Sequence, residues 1–178
     1  LEDNDPEIDP GFPVVCLIAS GGHTDLILMN GHGQYILVGR TRDDAAGEAF
    51  DKGARMLGLG FPGGPEIQRV ATGVNHTEPR FPRPRIADSL DFSFSGLKTA
   101  LLRRVEQRGW YPNPETEMDD QQVADLASAY QEALVDTMVS RTVEAANTYG
   151  ARGILLGGGV AANSRLREEM SNRSPVKV

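Results

Sequence analysis

The sequence is poor in the residues that build several common kinds of site. Its 178 residues include one cysteine, Cys16, and three histidines. A single cysteine excludes an internal disulfide, and its place in an apolar run indicates a small core residue rather than a reactive thiol. The histidines His23, His32 and His76 do not recur at helical spacing with one another or with cysteine. We therefore predict no metal site within this chain.

Long apolar runs and familiar nucleotide fingerprints are also missing. The longest apolar run, residues 14–19, is far shorter than the roughly 18 residues of a membrane span, and no basic-then-apolar leader opens the sequence. We expect no membrane association and a cytoplasmic location. Neither a Walker phosphate loop nor a Gly-x-Gly-x-x-Gly fingerprint occurs. Ser20 beside His23 lacks the third, orienting group of a catalytic triad.

Acidic charge is concentrated at the start of the chain. The net charge is −7, and removing the five carboxylates of the first nine residues leaves −2 for the rest. This balance argues against a freestanding nucleic-acid binder but is compatible with a local basic surface. Residues 1–13, with three prolines and no periodicity, are predicted to be an acidic linker. The missing initial methionine and the strand-like residues 174–178 lead us to expect an absent N-terminal domain and C-terminal end.

Three strand patterns follow the linker. Residues 14–30 predict strand, turn and strand, and residues 34–41 predict a third strand, giving an antiparallel meander over 14–41. Ser20-Gly21-Gly22-His23 forms the first turn. Glycine allows a ligand to approach bare backbone N–H groups, so the turn is a candidate anion cradle. Gly-Gly is equally a common connection in ordinary hairpins.

Helical spacing begins after the meander. Residues 43–58 predict a helix, with Thr41 and Asp44 as its capping box. Asp44, Glu48 and Asp51 share one side of it, either as a solvated face paired with Lys52 or as functional carboxylates. A helical insert is predicted over about 60–118, containing one helix that ends near residue 71 and another that residues 91–98 lead into and that ends near residue 107.

A basic ribbon lies inside this insert. Arg80, Arg83 and Arg85 alternate with prolines, and Lys98 adds charge to the following helix. The ribbon is either a phosphate-contacting surface or a loop of solvated arginines. Ser93 and Ser95 are candidate caps of that helix.

The last third of the sequence predicts a long helix and a second glycine turn. The apolar stripe of the helix over 120–149 fits packing, and fits the docking of a partner subunit equally well. Residues 153–170 predict a strand, the turn Gly157 to Asn163, and a helix. Such a turn offers N–H groups and a helix dipole to an anion. Alternatively, its glycines permit close packing and Asn163 is a helix cap. Two glycine turns are what a nucleotide cleft needs.

Six motifs together carry a family resemblance. They are SGGHT at 20–24, DDAAGEAFDK at 43–52, PGGP at 62–65, FPRP at 81–84, DFSFSGLKT at 91–99 and GGGVAAN at 157–163. In this order they resemble the TsaD family, over nearly the whole chain. The series is far more specific than any single motif.

The resemblance implies a fold and a reaction. The fold would be α/β, of the actin-like ATPase (RNase H-like) superfamily, mainly its second domain with an antiparallel meander plus helices. The reaction would move a threonylcarbamoyl group from threonylcarbamoyl-AMP to the adenosine next to the anticodon of tRNA. Older labels for the family imply a metal-dependent endopeptidase of sialoglycoproteins, and a non-catalytic nucleotide-binding scaffold is a third hypothesis.

The resemblance also implies site residues and partners. Carried over by position, the contacts to an ATP- or AMP-type nucleotide would be Ile18, Ala19, Ser20, Gly21, Gly22, Asp51, Gly64 and Asn163. Arg80, Arg83, Arg85 and Lys98 are candidate tRNA contacts, and TsaB and TsaE are the expected partner subunits. The iron or zinc of the full-length family would be bound by residues outside this chain, so we expect the chain alone to be inactive.

Overall fold

A computed structural model describes residues 11–75, 77–111 and 118–178, which contain a four-stranded sheet and five α-helices. In chain order the elements are β1 Val14–Ala19, β2 Thr24–Gly31, β3 Gln34–Arg40, α1 Ala46–Met56, α2 Gly63–Ala71, α3 Ser95–Gln107, α4 Asp120–Thr148, β4 Gly153–Gly157, a short 3-10 helix Gly159–Ala162 and α5 Ser164–Arg173. Most of the predicted acidic linker lies outside the described residues. Within the described ranges, no helix is long and apolar enough to cross a membrane.

The sheet has the strand order β3-β2-β1-β4. β1 pairs antiparallel with β2, β2 pairs antiparallel with β3, and β4 joins the other edge of β1 in parallel. Along β2 the side chains of Leu26 and Leu28 are buried while Ile27 and Met29 are half-buried, because alternate residues face opposite sides of the sheet. The antiparallel meander is therefore present as predicted.

The sheet continues beyond β4 through a single bridge. The backbone N–H of Ile154 donates to the carbonyl of Lys177 at 2.8 Å, and Gly153 and Lys177 form an isolated parallel bridge. The strand-like pattern at 174–178 thus adds one paired position beside β4.

The core lies between one face of the sheet and the long helix α4, which packs against β1, β4 and α1. Tyr130 of α4 is fully buried, and its hydroxyl donates to the carbonyl of Ala49 in α1 at 3.0 Å. Its ring lies over Gly53, where an added Cβ would come within 2.4 Å of the ring. The apolar stripe of α4 is therefore packed within the described part of the chain.

The start of α1 differs from the prediction. The helix begins at Ala46 rather than at residue 43, and the Thr41–Asp44 capping box is wrong. Thr41 instead donates its hydroxyl to the backbone carbonyl of Asp44 at 2.7 Å. The first turn is closed by Glu48, whose Oε2 accepts the N–H of Ala45 at 3.4 Å. A side chain inside the helix supplies the cap that the sequence pattern assigned to the preceding loop.

The start of α3 also differs, because the predicted serine caps are replaced by an aspartate distant in sequence. Asp43 Oδ1 accepts the N–H of Phe94 at 2.7 Å and of Ser95 at 3.2 Å. The hydroxyls of Ser93 and Ser95 donate to Asp43 Oδ2 at 2.6 and 2.7 Å. A single carboxylate therefore joins the loop before α1 to the N-terminus of α3.

Candidate functional site

A cleft of about 540 Å³ opens where the β1–β2 turn, α1, α2 and the segment before α5 meet. Residues from all four elements line it, among them Gly21, Asp51, Gly64, Gln68, Gly159 and Asn163. Four of these, Gly21, Asp51, Gly64 and Asn163, are positions that the sequence resemblance marked as nucleotide contacts. They come from segments far apart in sequence, and the fold brings them together.

The β1–β2 turn is closed by its own backbone and by Ser20. Ser20 N–H donates to the carbonyl of His23 at 2.8 Å, and Ser20 Oγ accepts the N–H of His23 at 3.1 Å and, at 3.4 Å, that of Gly22. A Cβ on Gly21 or Gly22 would meet no described atom within 4 Å, and neither residue has a positive φ. The fold itself therefore does not require glycine here, and the bare backbone is open to a ligand.

The other predicted turn residues occupy different places. Gly22 lies with His23 in a separate depression beside Arg40 and Arg42. Ala19 is buried and Ile18 is half-buried within β1. Within the stretch from Ile18 to Gly22, Gly21 lines the cleft. Ile18 and Ala19 belong to the strand that leads into the turn.

The first turn of α1 is fixed against this loop. The N–H of Gly47 donates to the carbonyl of Ser20 at 3.0 Å, and a Cβ on Gly47 would lie 2.7 Å from that oxygen. The N–H of Ala46 donates to Thr24 Oγ1 at 2.8 Å. These N–H groups at the start of α1 are already bonded within the protein, so the helix positions the glycine turn.

The second glycine turn contains glycines with two different functions. Gly158 has a φ of 87°, and a Cβ there would lie 2.2 Å from the carbonyl oxygen of Ala19. Close packing requires glycine at this position, as one of the two sequence interpretations proposed. Gly159 has no positive φ, and a Cβ there would meet no described atom within 4 Å. Its backbone borders the cleft without a packing reason for glycine.

Asn163 is a helix cap and a cleft residue at once. Its Oδ1 accepts the N–H of Leu166 at 3.0 Å, which caps α5, and its Nδ2 donates to Oε1 of Gln131 at 3.0 Å. The residue is buried and borders the cleft. The capping interpretation is therefore correct, and it does not exclude a contact with a ligand.

Asp51 and Gly64 lie on the opposite wall. Asp51 Oδ1 accepts the N–H of Gly63 at 2.7 Å, which ties α1 to the first turn of α2. The contact is tight, since a Cβ on Gly63 would lie 2.5 Å from the Cα of Asp51. Asp51 is half-buried, and no hydrogen bond from a described residue to its Oδ2 is observed. That oxygen remains an acceptor for a ligand hydroxyl.

The two neighbouring carboxylates, Asp44 just before α1 and Glu48 within it, are engaged elsewhere. Asp44 accepts from Lys52 at 2.9 Å and Lys98 at 2.8 Å, and Glu48 pairs with Lys52 at 2.7 Å. Burial alone would raise the pKa of Asp44, but hydrogen bonds from Lys98 and Lys52 outweigh it and lower that pKa. Hydrogen bonds to Glu48 and Asp44 raise the pKa of Lys52. Asp44 and Glu48 thus form an ion-paired face, whereas Asp51 faces the cleft.

Two glutamines complete the site, and sequence reasoning missed both. Gln68 of α2 accepts the N–H of Ser164 at 2.7 Å, so α2 is bonded to the first turn of α5. Gln131 of α4 holds Asn163. Neither belongs to a glycine turn or a charge pattern, so the sequence carried no signal for them.

The basic ribbon lies against α4, away from the residues that line the cleft. Arg83 pairs with Asp136 at 2.9 Å and Arg85 with Glu144 at 3.0 Å. Arg80 is exposed, and its carbonyl accepts a hydrogen bond from Arg104 at 3.2 Å. Three of the four candidate tRNA contacts, including Lys98, are therefore ion-paired within the protein. No group of three or more histidine, cysteine, aspartate or glutamate side chains that could hold a metal ion occurs in the parts of the chain that the structure describes.

Comparisons of the sequence with known proteins all indicate the same enzyme family. The model of the family described as tRNA N6-adenosine threonylcarbamoyltransferase, TsaD, matches residues 2–178. The protein of that name from Thermomicrobium roseum is 51% identical over 100% of this chain and 52% of its own length. The one from Symbiobacterium thermophilum is 53% identical over 92% of this chain and 46% of its own length. The chain spans about half the length of these curated relatives.

A solved structure supports the fold. Component A of the (R)-2-hydroxyglutaryl-CoA dehydratase of Acidaminococcus fermentans aligns with a TM-score of 0.52 and 16% identity, covering 97% of this chain and 57% of that one. At this identity the likeness concerns the fold alone. The family match and this likeness together confirm the predicted α/β, actin-like ATPase fold class.

Proposed function

Since this chain belongs to the TsaD family of tRNA N6-adenosine threonylcarbamoyltransferases, we propose that it supplies one wall of the adenylate site of such an enzyme. The complete enzyme would transfer a threonylcarbamoyl group from threonylcarbamoyl-AMP to the exocyclic amine of the adenosine next to the anticodon of tRNA, releasing AMP. The observation that carries the proposal is the convergence of Gly21, Asp51, Gly64 and Asn163 on one cleft.

The chemistry of the cleft fits an adenylate. Its volume of about 540 Å³ is within the range of small-molecule sites, roughly 300 to 1,000 Å³. The open backbone at Gly21 and Gly159 suits phosphate or carboxylate oxygens. The second oxygen of Asp51 suits a ribose hydroxyl, which donates a hydrogen bond to a carboxylate. Ile18, Ala19, Ser20 and Gly22 would support this contact surface through the backbone of the first turn.

These residues bind and orient the donor. Holding the threonylcarbamoyl–phosphate anhydride in a fixed position relative to the incoming amine lowers the entropic part of the barrier. We assign no general acid or base to this chain. The family resemblance implies iron or zinc, for which the described residues provide no ligand set.

The remaining partners belong to the complete protein. Arg80, Arg83, Arg85 and Lys98 are proposed to contact tRNA phosphates, and TsaB and TsaE are proposed as partner subunits of a cytoplasmic enzyme. We expect the chain alone to bind AMP only weakly and to show no turnover, because one wall of a cleft forms only part of the contacts of a nucleotide.

Product analysis tests the proposed function. The longer enzyme that contains this chain should release AMP from threonylcarbamoyl-AMP when substrate tRNA is present, and should modify that tRNA. An endopeptidase would instead cleave a sialoglycoprotein without AMP release, and a scaffold would bind AMP without either reaction. Cleavage of protein without AMP release would contradict the transferase proposal.

A further inference from the structure

Resting on the proposed function, we propose that Gln131 is a positioning residue that fixes the orientation of the Asn163 side-chain amide toward the nucleotide. Gln131 lies on α4, which does not itself line the cleft, and it is 5% exposed. Its Oε1 accepts a hydrogen bond from Asn163 Nδ2 at 3.0 Å, in a buried contact between residues 32 positions apart. It acts on the ligand only through Asn163.

The orientation of an asparagine amide decides what it offers to a ligand. A rotation by half a turn exchanges its carbonyl oxygen, an acceptor, for its NH2 group, a donor. In Asn163 the oxygen faces the N–H of Leu166 at 3.0 Å and the nitrogen faces the oxygen of Gln131. The N–H of Leu166 can only donate and so selects this orientation, and the Gln131 oxygen stabilises it with a second bond. One further hydrogen on Nδ2 and one further acceptor site on Oδ1 remain for a ribose or base.

Gln131 contributes more to this orientation than to the placement of α5. The first turn of α5 is held separately, because the N–H of Ser164 donates to Gln68 Oε1 at 2.7 Å. Loss of the Gln131 acceptor would leave that bond in place. It would also leave Asn163 Nδ2 without its buried partner, and an unsatisfied buried donor favours another rotamer.

The test is a titration of the longer enzyme with AMP and, separately, with pyrophosphate as a phosphate probe. Gln131→Met removes the acceptor at similar side-chain length, whereas Gln131→Glu keeps an acceptor oxygen in either protonation state. Ser128→Ala is the matched control, since Ser128 is a buried residue of α4 whose hydroxyl donates to the carbonyl of Val74 at 3.3 Å.

We expect Gln131→Met to weaken AMP binding about five- to tenfold and Ser128→Ala to stay within about twofold. Gln131→Glu should retain more affinity than Gln131→Met, because an acceptor oxygen remains. Pyrophosphate affinity should be unchanged, because the effect concerns the nucleoside. In an Asn163→Ala background, Gln131→Met should have no additional effect, since the two residues act as one unit. A purely structural role for Gln131 would weaken both ligands and would persist without Asn163.

Unchanged AMP binding by Gln131→Met, or an equal loss in the Asn163→Ala background, would overturn the proposal. If Gln131→Met does not fold, the side-chain NH2 resonances of Asn163 in the unaltered protein decide the matter. Slow exchange of these protons with water supports an amide that is held by its hydrogen bond, and exchange as fast as that of an exposed asparagine overturns it. An unaltered enzyme that does not bind AMP would refute the proposed function itself, a result distinct from all of these.

Discussion

At the scale of single residues, the glycines of the cleft separate into those that the fold requires and those that a ligand requires. Gly158 combines a positive φ with a carbonyl oxygen 2.2 Å from its missing Cβ. Gly159, next to it, has neither constraint. Adjacent glycines in one motif thus serve different purposes. Substitution by alanine should mainly lower stability at Gly158 and mainly weaken ligand binding at Gly159.

Alanine at each position checks this distinction. Gly158→Ala should reduce the free energy of unfolding by about 2 to 3 kcal/mol, because the left-handed backbone and the contact with Ala19 both oppose a side chain. Gly159→Ala should change it by less than about 1 kcal/mol, yet weaken AMP binding because a methyl group would border the cleft. Urea unfolding and AMP titration measure the two effects. Equal destabilisation by both variants would contradict the assignment.

Asp43 gives a residue-scale prediction that depends on pH. Burial would raise the pKa of its carboxyl, but hydrogen bonds from Ser93, Phe94 and Ser95 lower it overall. A carboxyl with a lowered folded pKa stabilises the fold above its unfolded pKa of about 3.9, and this contribution is lost as the pH falls through the folded value. Asp43→Ala should therefore destabilise the protein by about 1 kcal/mol at pH 7, and the difference should shrink toward pH 2.

Urea unfolding at both pH values measures this difference. Asp25→Ala is a suitable control, because Asp25 is a half-buried strand residue outside the α3 cap. A gap between the Asp43 variant and the parent protein that is the same at pH 7 and pH 2 would argue against a cap by the charged carboxylate.

At the scale of elements, α4 contacts both α1, through one tyrosine, and the basic ribbon, through two carboxylates. Tyr130 donates to Ala49, and Asp136 and Glu144 pair with Arg83 and Arg85. The same helix carries Gln131 toward the cleft. Its stripe was predictable from apolar spacing, whereas these polar contacts bring together residues that are up to 81 positions apart.

Tyr130→Phe tests the coupling of α4 to α1. Burial, and to a lesser extent the charge of Asp44, raises the pKa of the Tyr130 hydroxyl, which therefore remains a neutral donor. Removing it leaves the carbonyl of Ala49 without that donor, and we expect a loss of about 1 to 2 kcal/mol in unfolding free energy. Tyr149→Phe, at a residue that is 39% exposed, should have little effect. Similar values for the two variants would contradict the role of this bond.

At the scale of the whole molecule, we predict that the basic ribbon and Lys98 contact the phosphates of tRNA. If Arg80, Arg83, Arg85 and Lys98 contact tRNA phosphates, changing all four to glutamine in the longer enzyme should lower the slope of log affinity against log salt by about 3. Glutamine is preferred to glutamate because Asp136 and Glu144 lie beside the ribbon. Arg55→Gln, an exposed arginine of α1, is the control, and an unchanged slope in the fourfold variant would refute the contact.

The sequence anticipated the parts of the fold that depend on local pattern. Alternating apolar residues indicated the meander, and the glycine motifs indicated two turns that the structure brings to one cleft. Glu48 does occupy the local capping position, three residues after the N-cap Ala45, but Ala45 lacks the polar side chain by which that rule recognises a cap. Side-chain bonds between distant residues, such as that of Asp43 at the start of α3, were not predictable from local pattern. Gln68 and Gln131 were missed for the same reason. Their partners, Ser164 and Asn163, are fixed only by tertiary packing.

The hydrogen bond from Gly47 to Ser20 has a consequence for amide hydrogen exchange. Its N–H is already bonded at 3.0 Å to the turn, so it should exchange slowly with or without a nucleotide. Gly21 and Gly159 border the cleft, and we expect their N–H groups to be protected only when AMP is bound. Comparing the exchange rates of these three amide protons would therefore show which backbone groups contact the bound nucleotide.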